Sequence, residues 1–328
     1  MLQYILRRIL LMLVTLLLVS VVAFIIIQLP PGDFATSYIS ALSASGATVQ
    51  QEALEALRTQ YGLDQPVLVQ YGKWIWGIIT RGDFGISFSY KLPVSSIIWE
   101  RVWLTVWISL LCVLITWLIS FPIGIYSAVK QYSPGEYLFT LLGFIGVSVP
   151  SFLVALVVMY IAFKYFSVTI TGLFSSEFVN APWSGAKVLD LLGHLWLPVL
   201  VLALEGTAGL IRTMRANLLD ELRKPYVVTA RAKGLPEWKV ILKYPVRLAL
   251  NPFVSTLGWL LPGLVSGSII ISVVMSLPTT GPLLLSSLLS QDMYLAGTII
   301  MLLSALTIIG TLLSDILLAW LDPRIRLQ

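Results

Sequence analysis

The chain has 328 residues, of which 58% are hydrophobic and only 11% are charged, and its mean hydropathy is +0.91. A soluble domain carries about 25% charged residues, so this composition excludes an ordinary soluble protein and predicts an integral membrane protein. The single cysteine excludes an internal disulfide, and the single histidine excludes a histidine-rich metal site within the chain. The net charge of +5 is better explained by basic loops on one side of a membrane than by nucleic-acid binding.

An apolar run from Ile9 to Leu29 follows Arg7 and Arg8 near the start of the chain. At about 1.5 Å per residue, a helix over this run would cross roughly 30 Å, which is the thickness of one hydrocarbon core. A cleaved signal peptide is the alternative, but the run is longer than the apolar core of such a peptide and no clear cleavage site follows it. We therefore predict a retained anchor with a cytoplasmic start.

The stretch from Pro30 to Ile98 is of mixed polarity and is expected outside the membrane. Residues 51–60 show helical periodicity. Tyr71, Trp74 and Trp76 are aromatic residues of the kind that lies at the water–lipid interface. The sequence therefore predicts an external region between the first and second spans.

Five further apolar runs predict membrane spans at Arg101 to Val129, Tyr137 to Phe166, Trp196 to Ala216, Phe253 to Leu277 and Tyr294 to Trp320. Pro150 lies in the third run, where a proline inside a helix would free a backbone carbonyl. This proline could line a pathway or form a packing kink.

Glu205 lies about halfway along the fourth run, where a carboxylate is costly unless it faces water or finds a partner. It is either a pathway residue in contact with substrate or a group hydrogen-bonded to a neighbouring helix.

Basic charge is concentrated in one loop and in the few residues before it. Nine Lys or Arg residues and three acidic residues lie between Arg212 and Arg247, a local net charge of +6. Six spans place both termini on the same side as this loop, and that side then carries 14 of the 21 basic residues. The asymmetry predicts that both termini and the loop are cytoplasmic.

The loop itself, residues 217–252, carries signals for short helices and is called the basic loop below. Pro225 suits the first turn of a helix, and Gly234 suits a left-handed C-terminal cap. Pro236 then marks a restart, and Pro245 ends or kinks the second piece. We predict a helix, a glycine hinge and a second helix.

At this point the sequence resembles a known family. The segment reads YVVTARAKGLPEWKVILKYPVRLALNP, and it is similar to the coupling loop, or EAA motif, of ATP-binding-cassette (ABC) importer permeases. The similarity is greatest to the oligopeptide/dipeptide/nickel branch, which the segment YGLDQPVLVQYGKWIWGIITRGDFGISFSYKLPV and the ending DPRIR also resemble. Residues that depart from the branch pattern are Tyr244, Leu248, Ser272, Met275, Thr279 and Gln291.

The resemblance implies an all-α integral membrane protein with six transmembrane helices in the type I ABC importer permease fold. It implies an anchor and external region at 1–98, a transmembrane domain at 99–321 that contains the basic loop, and a cytoplasmic tail at 322–328. The external region then either helps to dock a substrate-binding protein or only braces the fold. The residues implied to couple to an ATPase are Tyr226, Thr229, Ala230, Arg231, Lys233, Gly234, Leu235 and Glu237. Of these, Ala230 and Gly234 are expected at the closest contact, because small residues let a partner surface approach the backbone.

The implied function is a non-catalytic permease subunit of an ATP-driven importer in the inner membrane of a prokaryote. Its implied partners are a second homologous permease subunit, two ATPase subunits, an external substrate-binding protein and the lipid bilayer, but no nucleic acid. ATP and Mg would bind only to the ATPase subunits, and this chain lacks the G-x-x-x-x-G-K-[ST] loop that cradles phosphates. The expected substrate is a peptide or a related small solute, with an oligosaccharide, a glycoside or a nickel complex as the alternative. Outside this family, an ion-coupled secondary transporter or a membrane scaffold without transport activity remains open.

Overall fold

The computed structural model describes residues 2–29, 32–44, 55–56, 58–59, 63–166, 170–179, 181–251, 253–254 and 269–321. The helices are α1 (Leu2–Gln28), α2 (Phe34–Ala44), α3 (Val67–Arg81), α4 (Val94–Val129), α5 (Pro134–Ser148), α6 (Ser151–Phe166), α7 (Gly185–Leu222), α8 (Pro225–Ala232), α9 (Glu237–Lys243), α10 (Pro245–Ala249), α11 (Thr280–Leu289) and α12 (Met293–Leu321). Within these described ranges the fold is helical, and the only β-pairing is a single bridge between Ile86 and Pro93.

Several of these helices have the length and apolarity of membrane spans. The candidate spans are Leu10–Gln28, Val94–Val129, Gly185–Leu204 and Met293–Leu318, and the bent pair of α5 and α6 would make a fifth. The predicted span from Phe253 to Leu277 lies mostly outside the described residues, as does the predicted tail at 322–328. The structure therefore shows an all-helical membrane protein with four or five candidate spans in the part it describes.

The chain forms two compact units. The first combines Met1–Thr105 with Pro278–Leu306, and the second combines Val106–Leu277 with Thr307–Gln328. In the first unit, Phe24, Trp74 and Phe88 belong to one buried apolar cluster. The buried Asp292 carboxylate accepts hydrogen bonds from the Ser87 hydroxyl at 2.5 Å and from the Ser89 backbone N–H at 3.0 Å. This carboxylate therefore ties the start of α12 to the loop between α3 and α4.

The second unit is assembled around α7. At about 1.5 Å per residue, this helix of 38 residues is about 57 Å long, which exceeds the thickness of a hydrocarbon core. Helices α5, α6 and α10 all pack along it. Gly124 of α4 lies so close to α7 that an added Cβ would lie 2.6 Å from Met214 Cβ and 3.2 Å from the Ile211 carbonyl oxygen.

Two predictions for the second unit are wrong: the continuity of the third span and the start of the fourth. The third span is not one continuous helix with Pro150 inside it, because Pro150 lies at the break between α5 and α6 and the preceding Val149 is extended (φ −96°, ψ 123°). Proline lacks the N–H of a helix interior and disfavours the helical conformation in the residue before it. The helix of the fourth predicted span, α7, begins at Gly185 rather than at Trp196. The Ser184 side chain caps this helix by accepting from the Lys187 N–H at 3.2 Å.

The close approach of α4 and α7 generates a first prediction. Gly124→Ala should lower the unfolding temperature of the detergent-purified protein, because an overpacking cost of about 1–3 kcal/mol outweighs a helix-propensity gain of about 1 kcal/mol. Gly209→Ala on α7 is the matched control, since an added Cβ there meets no atom within 4 Å. The control should unfold at the wild-type temperature or slightly above it. Equal unfolding temperatures for the two variants would contradict the packing.

Candidate functional site

The basic loop folds as three short helices. Pro225 opens α8, and α8 ends at Ala232. Gly234 then adopts a left-handed conformation (φ +75°), and its N–H donates to the Arg231 carbonyl at 2.9 Å. Pro236 immediately precedes α9. The predicted helix, glycine hinge and restart are confirmed, with α10 following at Pro245.

A small apolar core holds α8 and α9 together. Val227 and Val240 are fully buried, Ala230 is 6% exposed, and Tyr226 and Tyr244 pack against the three. The small side chain of Ala230 therefore allows the two short helices to pack closely within the loop. The predicted close contact of Ala230 with a partner stays a prediction, and within this chain its side chain is buried.

The loop is attached to α7 by a larger apolar cluster. Met214 and Leu218 of α7 are fully buried, and they share this cluster with Ile241, Val246 and Ala249 of the loop. Through these contacts, α9 and α10 are packed against the last turns of α7.

A polar contact reinforces the same junction. The Tyr226 hydroxyl donates to Glu221 Oε2 of α7 at 2.5 Å. Burial, and then the hydrogen bond and negative charge of Glu221, raise the pKa of the Tyr226 hydroxyl above its ordinary value. The hydroxyl therefore stays protonated and keeps its role as donor at neutral pH.

Residues 231–239 form the exposed tip of the loop. The Arg231 guanidinium brackets the Glu237 carboxylate across Gly234, with Nη2 2.6 Å from Oε1 and Nε 3.1 Å from Oε2. This hydrogen-bonded pair lowers the pKa of the Glu237 carboxyl below its ordinary 4.5, so the contact is present at neutral pH and is lost as the pH falls through that lowered value. Because both side chains are well exposed, the pair adds less than about 1 kcal/mol to the stability of the folded loop.

The other predicted coupling residues also lie at or beside this tip. Lys233 and Leu235 are exposed within it, and Thr229 is exposed on α8, where its hydroxyl donates to the Pro225 carbonyl at 3.0 Å. The tip therefore brings together most of the predicted set, with Tyr226 and Ala230 packed behind it.

Sequence reasoning missed the apolar part of the exposed surface. Val228, Trp238 and Leu242 are 58%, 62% and 52% exposed on the loop. The only signal was the helical spacing of Trp238, Ile241 and Leu242, and it did not say which of these side chains is buried. In the structure Ile241 packs inward and the other two remain exposed.

The predicted pathway residues lie on two different elements. Glu205 is on α7, directly after the candidate span Gly185–Leu204, and its side chain is outside the described part of the chain. Pro150 is exposed at the break between α5 and α6. Among the described residues, no group of three or more His, Cys, Asp or Glu is placed to hold a metal ion.

Comparison with known proteins covers the whole chain. The family described as "Binding-protein-dependent transport system inner membrane component" matches residues 120–327. A second family, which describes the N-terminal part of the membrane component of binding-protein-dependent transport systems, matches residues 1–110. The chain is 33% identical to the oligopeptide transport system permease protein AppB of Bacillus subtilis, over 98% of this chain and 99% of that protein. It is 35% identical to a putative peptide permease protein of Brucella ovis, over 99% of each. It is 29% identical to the peptidoglycan transport system permease protein YejB of Agrobacterium fabrum, over 99% of this chain and 98% of the relative.

The left-handed glycine generates a second prediction. Gly234→Val should raise the rate of tryptic cleavage after Arg231 and Lys233, because a side chain in this conformation costs about 1–2 kcal/mol and increases the open population of the loop by about 5- to 30-fold. An added Cβ meets no atom within 4 Å, so the cost is one of backbone conformation alone. Gly234→Asn is the matched control and should change the rate less, since asparagine visits this conformation more readily. Identical rates for the two variants would contradict a left-handed residue 234.

Proposed function

The chain belongs to the family of inner membrane components of binding-protein-dependent transport systems, and from this premise we propose how it works. It is a permease subunit of an ATP-driven importer. We propose that it moves peptides, or a related small solute, across the cytoplasmic membrane of a prokaryote. The names of its relatives, which refer to oligopeptides, peptides and peptidoglycan, support this substrate class.

The proposed assembly contains this chain, a second homologous permease subunit, two ATPase subunits and an external substrate-binding protein. ATP and Mg bind to the ATPase subunits, and this chain binds no cofactor of its own. In the proposed topology six spans place both termini and the basic loop in the cytoplasm. The proposed boundaries remain 1–98 for the anchor and external region, 99–321 for the transmembrane domain and 322–328 for the tail.

The observation that carries this mechanism is the exposed surface of the basic loop. Trp238, Leu242 and Val228 leave apolar area uncovered beside the basic tip, although α9 shares buried clusters with both α7 and α8. Apolar side chains with a charged rim are typical of a protein-binding surface. We propose that this surface docks on an ATPase subunit, with Gly234 and Leu235 at the tip.

The proposed transport cycle follows from this attachment. Closure of the ATPase subunits on ATP displaces the basic loop, and α7 moves with it because the two share a buried cluster. The spans then rock, and a central cavity switches its opening from the outside to the inside. We propose that Glu205 and Pro150 border that cavity, since a carboxylate near membrane depth requires water or a partner.

Four residues that depart from the peptide branch favour a second possible substrate class. Ser272, Met275, Thr279 and Gln291 replace residues that are usual in the peptide branch. An oligosaccharide, a glycoside or a nickel complex carried by the same machinery is therefore the alternative cargo. An ion-coupled secondary transporter has less support, because such a protein has no need for an ATPase-docking loop.

Docking on the ATPase generates a third prediction. Trp238→Ala should weaken co-purification of the ATPase subunits by 30-fold or more, since a central tryptophan commonly contributes about 2 kcal/mol or more to binding. Trp76→Ala on α3 is the matched control, because Trp76 is similarly exposed at 67% but lies outside the basic loop. Affinity can be measured with purified components in detergent. Equal affinity for the two variants would remove Trp238 from the interface.

The proposed topology generates a fourth prediction. In a Cys112→Ser background, an impermeant thiol reagent should label Asp64→Cys on intact cells and should label Lys233→Cys only after the membrane is opened. Asp64 and Lys233 are both exposed, and the native thiol at Cys112 is fully buried. The physical reason is the bias of 14 of 21 basic residues to the side of the loop. Labelling of Lys233→Cys but not Asp64→Cys on intact cells would reverse the topology.

A further inference from the structure

A second, charged attachment lies on the same segment of α7 that holds the basic loop. Arg215 Nε donates a hydrogen bond to Glu136 Oε1 at 2.8 Å, and Arg215 Nη2 lies 2.5 Å from the same oxygen in an ion pair. Glu136 Oε2 accepts from the backbone N–H of Tyr132. The Glu136 side chain is 7% exposed and that of Arg215 is 32% exposed. Both carboxylate oxygens are therefore used, and the pair is fixed in geometry.

The Glu136 side of this contact is built into the start of α5. Ser133 caps the helix by accepting from the Glu136 N–H at 3.2 Å, and Glu136 reaches back to the preceding turn. This arrangement is a variant of the capping box, in which two side chains satisfy the free donors of a helix start. Tyr132 adopts a positive φ of 60° in that turn. The turn and α5 are thus held as one body by the residue that also binds Arg215.

The Arg215 side of the contact lies beside the attachment of the basic loop. Arg215 is adjacent to Met214 and three residues before Leu218, and both of these are fully buried in the cluster that includes Ile241 and Val246 of the loop. The same turns of α7 are therefore bound to the loop by apolar packing and to α5 by charge.

The chemistry of the pair favours positioning over stability. Replacing both partners of a buried ion pair by apolar residues of similar size is often neutral or stabilising, whereas removing one partner is strongly destabilising. An apolar contact can also slide, but an ion pair that includes a charge-assisted hydrogen bond favours one distance and direction. A charged, hydrogen-bonded pair at this place is suited to transmitting a displacement.

We propose that Glu136 and Arg215 are positioning residues that couple the basic loop to the α5–α6 pair. A displacement of the loop moves α7, and the ion pair makes the start of α5 follow. α5 leads to the break at Pro150 and on to α6, and both helices pack along α7. Neither residue contacts substrate. This inference rests on the proposed function, because it requires an ATP-driven movement of the loop.

The test is transport per ATP hydrolysed, measured in proteoliposomes with the full complex, its binding protein and a peptide mixture as the probe. The double variant Glu136→Gln/Arg215→Met should keep the wild-type unfolding temperature, because it keeps an acceptor for the Tyr132 N–H and leaves no buried charge without its partner. Its uptake per ATP should nevertheless fall by at least about twofold, the lower end of the effect expected for residues along a coupling network. Glu136→Gln alone, which keeps an acceptor for the Tyr132 N–H but loses the charge, should show a smaller fall in the same ratio. Arg212→Met, an exposed arginine one turn earlier on α7, is the control and should keep the ratio.

The outcomes separate the inference from the function on which it rests. A double variant with both normal stability and a normal ratio would show that the pair is structural only and would overturn the inference. If the double variant unfolds early, a normal ratio for Glu136→Gln overturns it equally. If the wild-type complex neither hydrolyses ATP in response to its binding protein nor imports any solute, the proposed function itself fails.

Discussion

The apolar cluster that buries Met214 and Leu218 of α7 together with Ile241 and Val246 of the loop is the interaction on which the rest of the site depends. A loop of three helices, each with eight or fewer residues, has too little apolar surface to be stable in water alone. α7 supplies the missing surface because it continues well beyond its candidate membrane span. The loop is therefore an extension of a membrane helix rather than a flexible connection between two spans.

This attachment explains how a rigid loop can still present an uncovered face. The inner residues Val227, Ala230 and Val240 bury apolar surface of α8 and α9 within one cluster. Trp238 is left outside, beside a tip in which Arg231 and Glu237 pair with each other. A surface of this kind can bind a partner without first having to fold, which lowers the entropic cost of docking.

Local signals in the sequence predicted local structure well. Pro225, Gly234 and Pro236 act through their own backbone conformations, so their roles could be derived without knowledge of the fold. Contacts between distant segments could not be derived in this way. The packing of Ala230 depends on where α9 lies, and the partner of Glu136 is 79 residues away on α7. Pro150 was recognised as unusual, but periodicity alone could not distinguish a kink from a break between two helices.

The central claim is that the basic loop and α7 move as one body. Spin labels at Arg212→Cys of α7 and Lys239→Cys of the loop tip, in a Cys112→Ser background, would report the distance between them by pulsed electron paramagnetic resonance. The measurement compares the assembled complex without nucleotide and with a non-hydrolysable ATP analogue. An unchanged distance distribution is predicted, because the buried cluster joins the two elements in both states. A shift of several ångströms on nucleotide binding would show that the loop moves relative to α7 and would contradict the account.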